Sequence, residues 1–251
     1  MAFLLVIMLV NSILGATSPG EFHGRLIFKE NFSCPVSDRW ILSVPPRSRL
    51  NAYRGNPPPA FDNNGTVTAH SGAISKRIFR LREGLIIGCD MKACLGDGSS
   101  WFGGSFGLIR SPLDFRRGSW PEFLAGMRYD YLGDIPWMKG VIREGGTLTC
   151  YLIDEDGDLE LLRRPYRDRY LEEWHHYEIR IKPSGFVEFR IDGELIYYSR
   201  KRISYEFDNL PLLLGHRSNR SGKVYHDNIR VWAYKSIKPG VMSKIPSEAG
   251  E

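Results

Sequence analysis

The chain of 251 residues lacks most of the marks that assign a function class directly. It has no Cys-x-x-Cys pair and its six His are scattered, which argues against a zinc site. It has no long basic run. The 34 Lys and Arg alternate with 29 Asp and Glu, so the net charge of +5 describes solvated strand faces and excludes nucleic acid as the expected partner. Alternating strand and helix patterns are missing, which excludes a parallel α/β fold. There is no internal repeat. No apolar run reaches the roughly 20 residues of a membrane-spanning helix.

Charge is also missing from the N-terminus. Residues 1–16 carry no charged side chain, and residues 2–14 are almost wholly apolar. That length fits the h-region of a secretory signal peptide, with Gly15 and Ala16 at the cleavage point. The segment has no Lys or Arg before the apolar run, and an uncleaved anchor is the alternative. Export agrees with Asn31-Phe32-Ser33, Asn64-Gly65-Thr66 and Asn219-Arg220-Ser221, which fit the N-glycosylation acceptor. The expected location is secreted or on the extracellular surface, with no membrane span in the mature chain.

Cysteine is scarce. Cys34, Cys89, Cys94 and Cys150 permit three full pairings, among which the sequence does not choose. Cys89 and Cys94 fall on one expected strand, where five residues span about 16 Å, beyond the reach of a disulfide. One or two disulfides, or buried free thiols, are expected.

What the chain does contain is period-two alternation. Strands are expected at 26–32, 40–43, 65–70, 78–82, 85–95, 105–110, 122–131, 147–153, 159–163, 174–182, 186–191, 194–199, 210–215 and 224–234. In 122–131, Phe123, Ala125, Met127, Tyr129 and Tyr131 share one face; Glu122, Leu124, Gly126, Arg128 and Asp130 share the other. Gly96 to Gly104 reads as a Gly/Ser-rich loop carrying Trp101 and Phe102. A short helical turn is expected within 161–174. The acidic run Asp154-Glu155-Asp156-Gly157-Asp158 lacks EF-hand spacing and reads as a hairpin turn. The chain therefore divides into a signal segment (1–16), a lead (17–25), one all-β, two-sheet antiparallel sandwich (26–234) and a loose tail (235–251).

Four stretches carry a resemblance: Phe28-Lys29-Glu30-Asn31-Phe32, Tyr177-Glu178-Ile179-Arg180-Ile181, Val187-Glu188-Phe189-Arg190-Ile191-Asp192-Gly193-Glu194-Leu195, and His226-Asp227-Asn228-Ile229-Arg230-Val231-Trp232. In this order they resemble the concanavalin A-like lectin/glucanase superfamily, including laminin G-like and laminarinase-like jelly rolls, over most of 28–232. The resemblance implies a concave sheet that takes carbohydrate. It also implies a structural calcium ion on Glu30 and Asp227; the alternative is that Asp227 and Asn228 bond to neighbouring backbone.

The hydrolases of that superfamily carry Glu-x-Asp-x-(x)-Glu on one strand, and this chain has no such run. Glu122 and Asp130 are eight residues apart, roughly 26 Å by strand rise, against the carboxyl separation of about 5 Å that a retaining pair needs. Lyases on the same scaffold need a cation near a uronate and a Tyr or His to move the proton. Arg128, Tyr129, Tyr131, His175, His176 and His216 supply those types. For sugar contact the candidates are the rings of Trp101, Trp120, Tyr131 and Trp137, with Arg128 and Asp130 bonding hydroxyls. Trp40, Trp174 and Trp232 read as core or plug residues. The expected ligand-binding set is Trp101, Arg128, Asp130, Tyr131, Trp137 and His216, with a glycan or polysaccharide as partner and no organic cofactor. The first reading is a carbohydrate-binding protein. A divergent glycoside hydrolase or lyase and a laminin G-type protein-interaction domain are the alternatives.

Overall fold

The computed structural model describes residues 24–32, 39–42, 60–61, 67–68, 73–94, 101–110, 123–132, 145–166, 170–218 and 223–234. The expected signal segment, the tail, Cys34, Trp120 and Trp137 lie outside them. The described residues form strands and turns with no helix. The strands are β1 (Gly24–Glu30), β2 (Trp40–Leu42), β3 (Ala60–Phe61), β4 (Val67–Thr68), β5 (Ala73–Arg80), β6 (Leu85–Cys94), β7 (Trp101–Ile109) and β8 (Phe123–Leu132). They continue with β9 (Gly145–Ile153), β10 (Leu159–Tyr166), β11 (Trp174–Ile181), β12 (Val187–Ile191), β13 (Glu194–Tyr198), β14 (Asn209–Ser218) and β15 (Lys223–Tyr234).

Two sheets result. The eight-stranded sheet runs β13-β12-β11-β6-β15-β4-β3, with β1 also on β15; the seven-stranded sheet runs β10-β9-β8-β7-β14-β5-β2. Every strand pair in both sheets is antiparallel. Alternation decides what each sheet buries. In β11, Tyr177, Ile179 and Ile181 are buried while His176, Glu178 and Arg180 are not. The Asp192-Gly193 turn between β12 and β13 has φ of 51° and 81°, the paired left-handed conformation that a two-residue hairpin favours.

The buried faces meet in one core. Phe28 of the eight-stranded sheet packs edge-on against Trp40 and Phe79 of the other, at 6.1 and 5.6 Å between ring centroids. Phe106 meets Tyr177 in the same way at 6.4 Å. Burying a side chain of this size contributes about 1.5–3 kcal/mol, so these cross-layer rings hold the sheets together. At one end the sheets are also laced by hydrogen bonds. Tyr197 of β13 donates its hydroxyl to Glu160 of β10, and burial together with that carboxylate pushes the phenol up to about 12. The segment after β13 then crosses over, with Ser204 N–H bonding to the Ile153 carbonyl at 2.9 Å.

Several local expectations are corrected. The expected loop before residue 105 is strand from Trp101 onward, because Gly103 and Gly104 pair with β8 on one side and β14 on the other. No helical turn starts at 161, since β10 stays paired with β9 through Tyr166. A register shift between Leu108 and Ile109 reverses the alternation at the start of β8. Leu124 therefore enters the main core, and Phe123 joins a second cluster with Ile74, Ile109 and Leu213. Cys89, Cys94 and Cys150 are free thiols, so among these three the disulfide expectation gives way to its alternative. Burial drives the Cys89 thiol well up and the Cys150 thiol to about 12, which makes both poor nucleophiles.

Candidate functional site

Ala125, Met127 and Tyr129 of β8 belong to the interlayer core. The residues between them, Gly126, Arg128 and Asp130, therefore face outward from the seven-stranded sheet. Register aligns three lateral rows on that face. Arg163, Thr149, Arg128, Ser105 and Gly215 form one. Pro165, Thr147, Asp130, Gly103 and Arg217 form the second. Leu161, Tyr151, Gly126, Gly107 and Leu213 form the third.

The middle of this face is a floor of glycine and serine. Neighbouring side chains lie over these glycines: a Cβ on Gly103 would lie 2.2 Å from Asp130 Oδ1, one on Gly215 2.5 Å from Ser105 Oγ, and one on Gly126 2.4 Å from the Phe123 ring. Small residues at alternate positions thus leave room for the groups that stand on the floor. Arg128 Nε donates to Asp130 Oδ1 at 2.7 Å. The two side chains keep 18% and 19% of their exposure, so the pair is mostly desolvated yet still reachable. Burial works against the guanidinium charge, but the Asp130 carboxylate and the Tyr151 hydroxyl outweigh it and hold the Arg128 pKa above its ordinary value. The result is a fixed cation beside a fixed acceptor, a geometry suited to orienting a polar ligand.

Of the expected ligand-binding residues, the structure brings Arg128 and Asp130 together. Tyr131 does not join them, because it packs against the interlayer core. Trp101 begins β7 opposite Leu132, two positions from Gly103. His216 takes the β14 position opposite Gly104, between the two rows and in neither. Trp137 lies outside the described residues. The sequence reading missed Thr149, Tyr151, Arg163, Ser105 and Gly103. The available signal was small residues at alternate positions, Gly103, Ser105 and Gly107, which a reading of the stretch as loop concealed.

Glu30 and Asp227 do not form one cation site. Glu30 shares the inner face with Phe28 and accepts from Phe32 N–H at 2.8 Å and Trp40 Nε1–H at 3.3 Å, with Arg39 at 3.7 Å. Asp227 is on a bulge in β15 and accepts from Asn228 N–H at 2.6 Å. It alternates with the fully buried His226, so it faces away from the core that holds Glu30. Donors already occupy the carboxylate of Glu30, and among the described residues no group of three or more His, Cys, Asp or Glu is placed to hold a metal ion. The residues present do not fit the calcium that the resemblance implies. In the acidic turn, Asp154 Oδ1 accepts from the N–H groups of Asp156 and Asp158 at 3.0 and 2.9 Å. Lys201 Nζ supplies the cation there, 3.2 Å from Asp154 and 2.8 Å from Asp156.

The outer face of the eight-stranded sheet is built differently. Its charges alternate and pair: Arg180 with Glu178, and Lys182 and Arg190 with Glu188 at 2.6 and 2.9 Å. His176 Nδ1 lies 2.6 Å from Asp90 Oδ1, and Asn228 Nδ2 donates to the other Asp90 oxygen at 2.9 Å. The Asp90 hydrogen bond raises the His176 pKa against the opposing effect of burial. His175, expected at the surface, is mostly buried and edge-on to Tyr170 at 5.0 Å, with Nδ1 2.7 Å from Asp192. These contacts use the histidines for stitching the β12–β13 turn and β15 to β11.

No protein-family model matches the chain, and no curated sequence matches it significantly. Solved structures do match in shape. A β-glucanase of Bacillus licheniformis is 13% identical with a TM-score of 0.52, covering 82% of this chain and 97% of that one. The carbohydrate recognition domain of Emp47p is 11% identical with a TM-score of 0.53, covering 83% and 97%. An endo-1,3-β-glucanase from Streptomyces sioyaensis is 11% identical with a TM-score of 0.56, covering 86% and 98%. At these identities the likeness establishes architecture alone, and that architecture is the concanavalin A-like jelly roll, an all-β sandwich as the strand pattern predicts.

Proposed function

We propose that this protein binds a polysaccharide on the outer face of the seven-stranded sheet and does not cleave it. The observation that carries the reading is the Arg128–Asp130 pair standing on a glycine and serine floor. Glycoside hydrolysis needs two carboxyl groups, about 5–5.5 Å apart in retaining enzymes and about 6.5–9.5 Å in inverting ones. Among the described residues of the three rows, Asp130 is the one carboxylate, and its partner is a cation. Similarity in shape to glucanases and to a carbohydrate recognition domain supports a glycan as the ligand class. The apolar residues 2–14 and the three acceptor motifs support a place of action outside the cell. Among the described residues no helix is long and apolar enough to cross a membrane.

The test is affinity electrophoresis of the full chain through gels containing individual polysaccharides, run beside assays for reducing ends and unsaturated products. Retardation by at least one polymer with no product is expected, and it should be lost in Asp130→Asn and Arg128→Lys variants that keep the wild-type melting profile. Product release would overturn the non-catalytic reading. Retardation by none of the polymers would overturn binding.

A further inference from the structure

Resting on that reading, we infer that the ligand is an acidic polysaccharide, recognised through carboxylate or sulfate groups by arginines of the outer face. Arg128 and Arg163 stand on that face against one aspartate, Asp130. Asp130 is already committed to Arg128. Arg163 on the edge strand β10 is exposed, and no carboxylate among the described residues pairs with it. It shares its row with Arg128, separated by the strand that bears Thr149, which places the two backbones about 10 Å apart.

Between them on β9 lies Thr149, itself buried, and the half-buried Thr147 of the next row offers a hydroxyl beside Asp130. Guanidinium groups bind carboxylate and sulfate oxygens through two parallel N–H donors. A site for a neutral glucan would gain nothing from an exposed, unpaired arginine at its rim. The β11–β12 part of the other sheet shows the contrast, because there glutamates neutralise the arginines. An exposed, unpaired cation in the same row as the Arg128–Asp130 pair is the arrangement an anionic chain fits.

The experiment measures retardation of the full chain by a polyuronate, by the same polymer after carboxyl reduction, by dextran sulfate and by laminarin, each at low and high salt. At least tenfold stronger retardation by the polyuronate or by dextran sulfate than by laminarin is expected. Loss on carboxyl reduction identifies carboxylate as the recognised group; retention by dextran sulfate alone identifies sulfate. Arg163→Ala should weaken the effect at least threefold without moving the melting temperature. Arg230→Ala removes the same charge from the exposed β15 position on the opposite sheet and should leave it unchanged. Equal weakening by both variants would mean diffuse charge attraction and would overturn the inference. Retardation by laminarin alone would overturn it while leaving the polysaccharide-binding reading intact. Retardation by nothing would remove both.

Discussion

The two outer faces of this sandwich differ although both are made of antiparallel strands with the same alternation. On the eight-stranded sheet, long side chains fill the surface and neutralise one another along β11 and β12. On the seven-stranded sheet, the central positions are glycine and serine, and one ion pair stands above them. A surface that satisfies its own charges has little left for a ligand. A surface of small residues that keeps one ion pair partly open and one arginine unpaired has charge left for one. The fold treats the faces alike, so their difference is written in side chains.

That contrast can be broken at named positions. Arg128→Ala should have the largest effect. It leaves Asp130 mostly desolvated without its charged donor, at a cost of about 1–3 kcal/mol, and it should abolish polysaccharide retardation. Chemical denaturation and affinity electrophoresis measure the two losses. Unchanged retardation would show that the pair is architecture and not site. Glu188→Ala on the other face should be smaller and one-sided. Loss of its hydrogen bonds to Lys182 and Arg190 should cost about 1–2 kcal/mol, with retardation as in wild type.

The smallest effect is a difference in pH response. Burial opposes the charge of Asp154, but the Asp156 and Asp158 N–H groups and Lys201 prevail and lower its pKa. Glu188 is lowered likewise, by Lys182 and Arg190. Their stabilisation is present above the ordinary carboxylate range and is lost as pH falls through the depressed folded values. His176 is raised by Asp90, so its contribution is full below about pH 6.5 and is lost as pH rises through the folded value. Melting temperature should therefore fall in acid and also decline above neutrality, the second decline vanishing in His176→Asn. Retardation should stay level from pH 6 to 8, because Arg128 keeps its charge. Retardation that followed the His176 step would couple the faces and refute their independence.

The fold was legible because alternation is a local signal. The β11–β12–β13 meander could be read from Tyr177, Ile179 and Ile181 and from two turns with glycine, and each tight turn fixed the next register. The site was half legible. Arg128 and Asp130 are two residues apart on one strand, so their shared face follows from period two. Thr149, Ser105 and Arg163 come from other strands, and their place beside Arg128 depends on inter-strand register that single-strand patterns do not contain. Gly103 misled for a physical reason: a glycine-rich stretch has weak strand propensity, and here pairing on both sides overrides it. Tyr131 failed as a site residue because alternation gives it to the core.

The position of β15 sets the order in which this molecule can assemble. It is the last described strand in the sequence, yet it pairs with β6 in the middle of the eight-stranded sheet and with β1 and β4 beyond it. Until residues 223–234 leave the ribosome, β6 has an open edge and β1 has no partner in this sheet. The seven-stranded sheet likewise waits for β14, which joins β7 to β5. Closure of this sheet thus waits for contacts of large sequence separation, which make it slow. A chain that stops short of β15 would present the unpaired edge of β6 to its neighbours and aggregate.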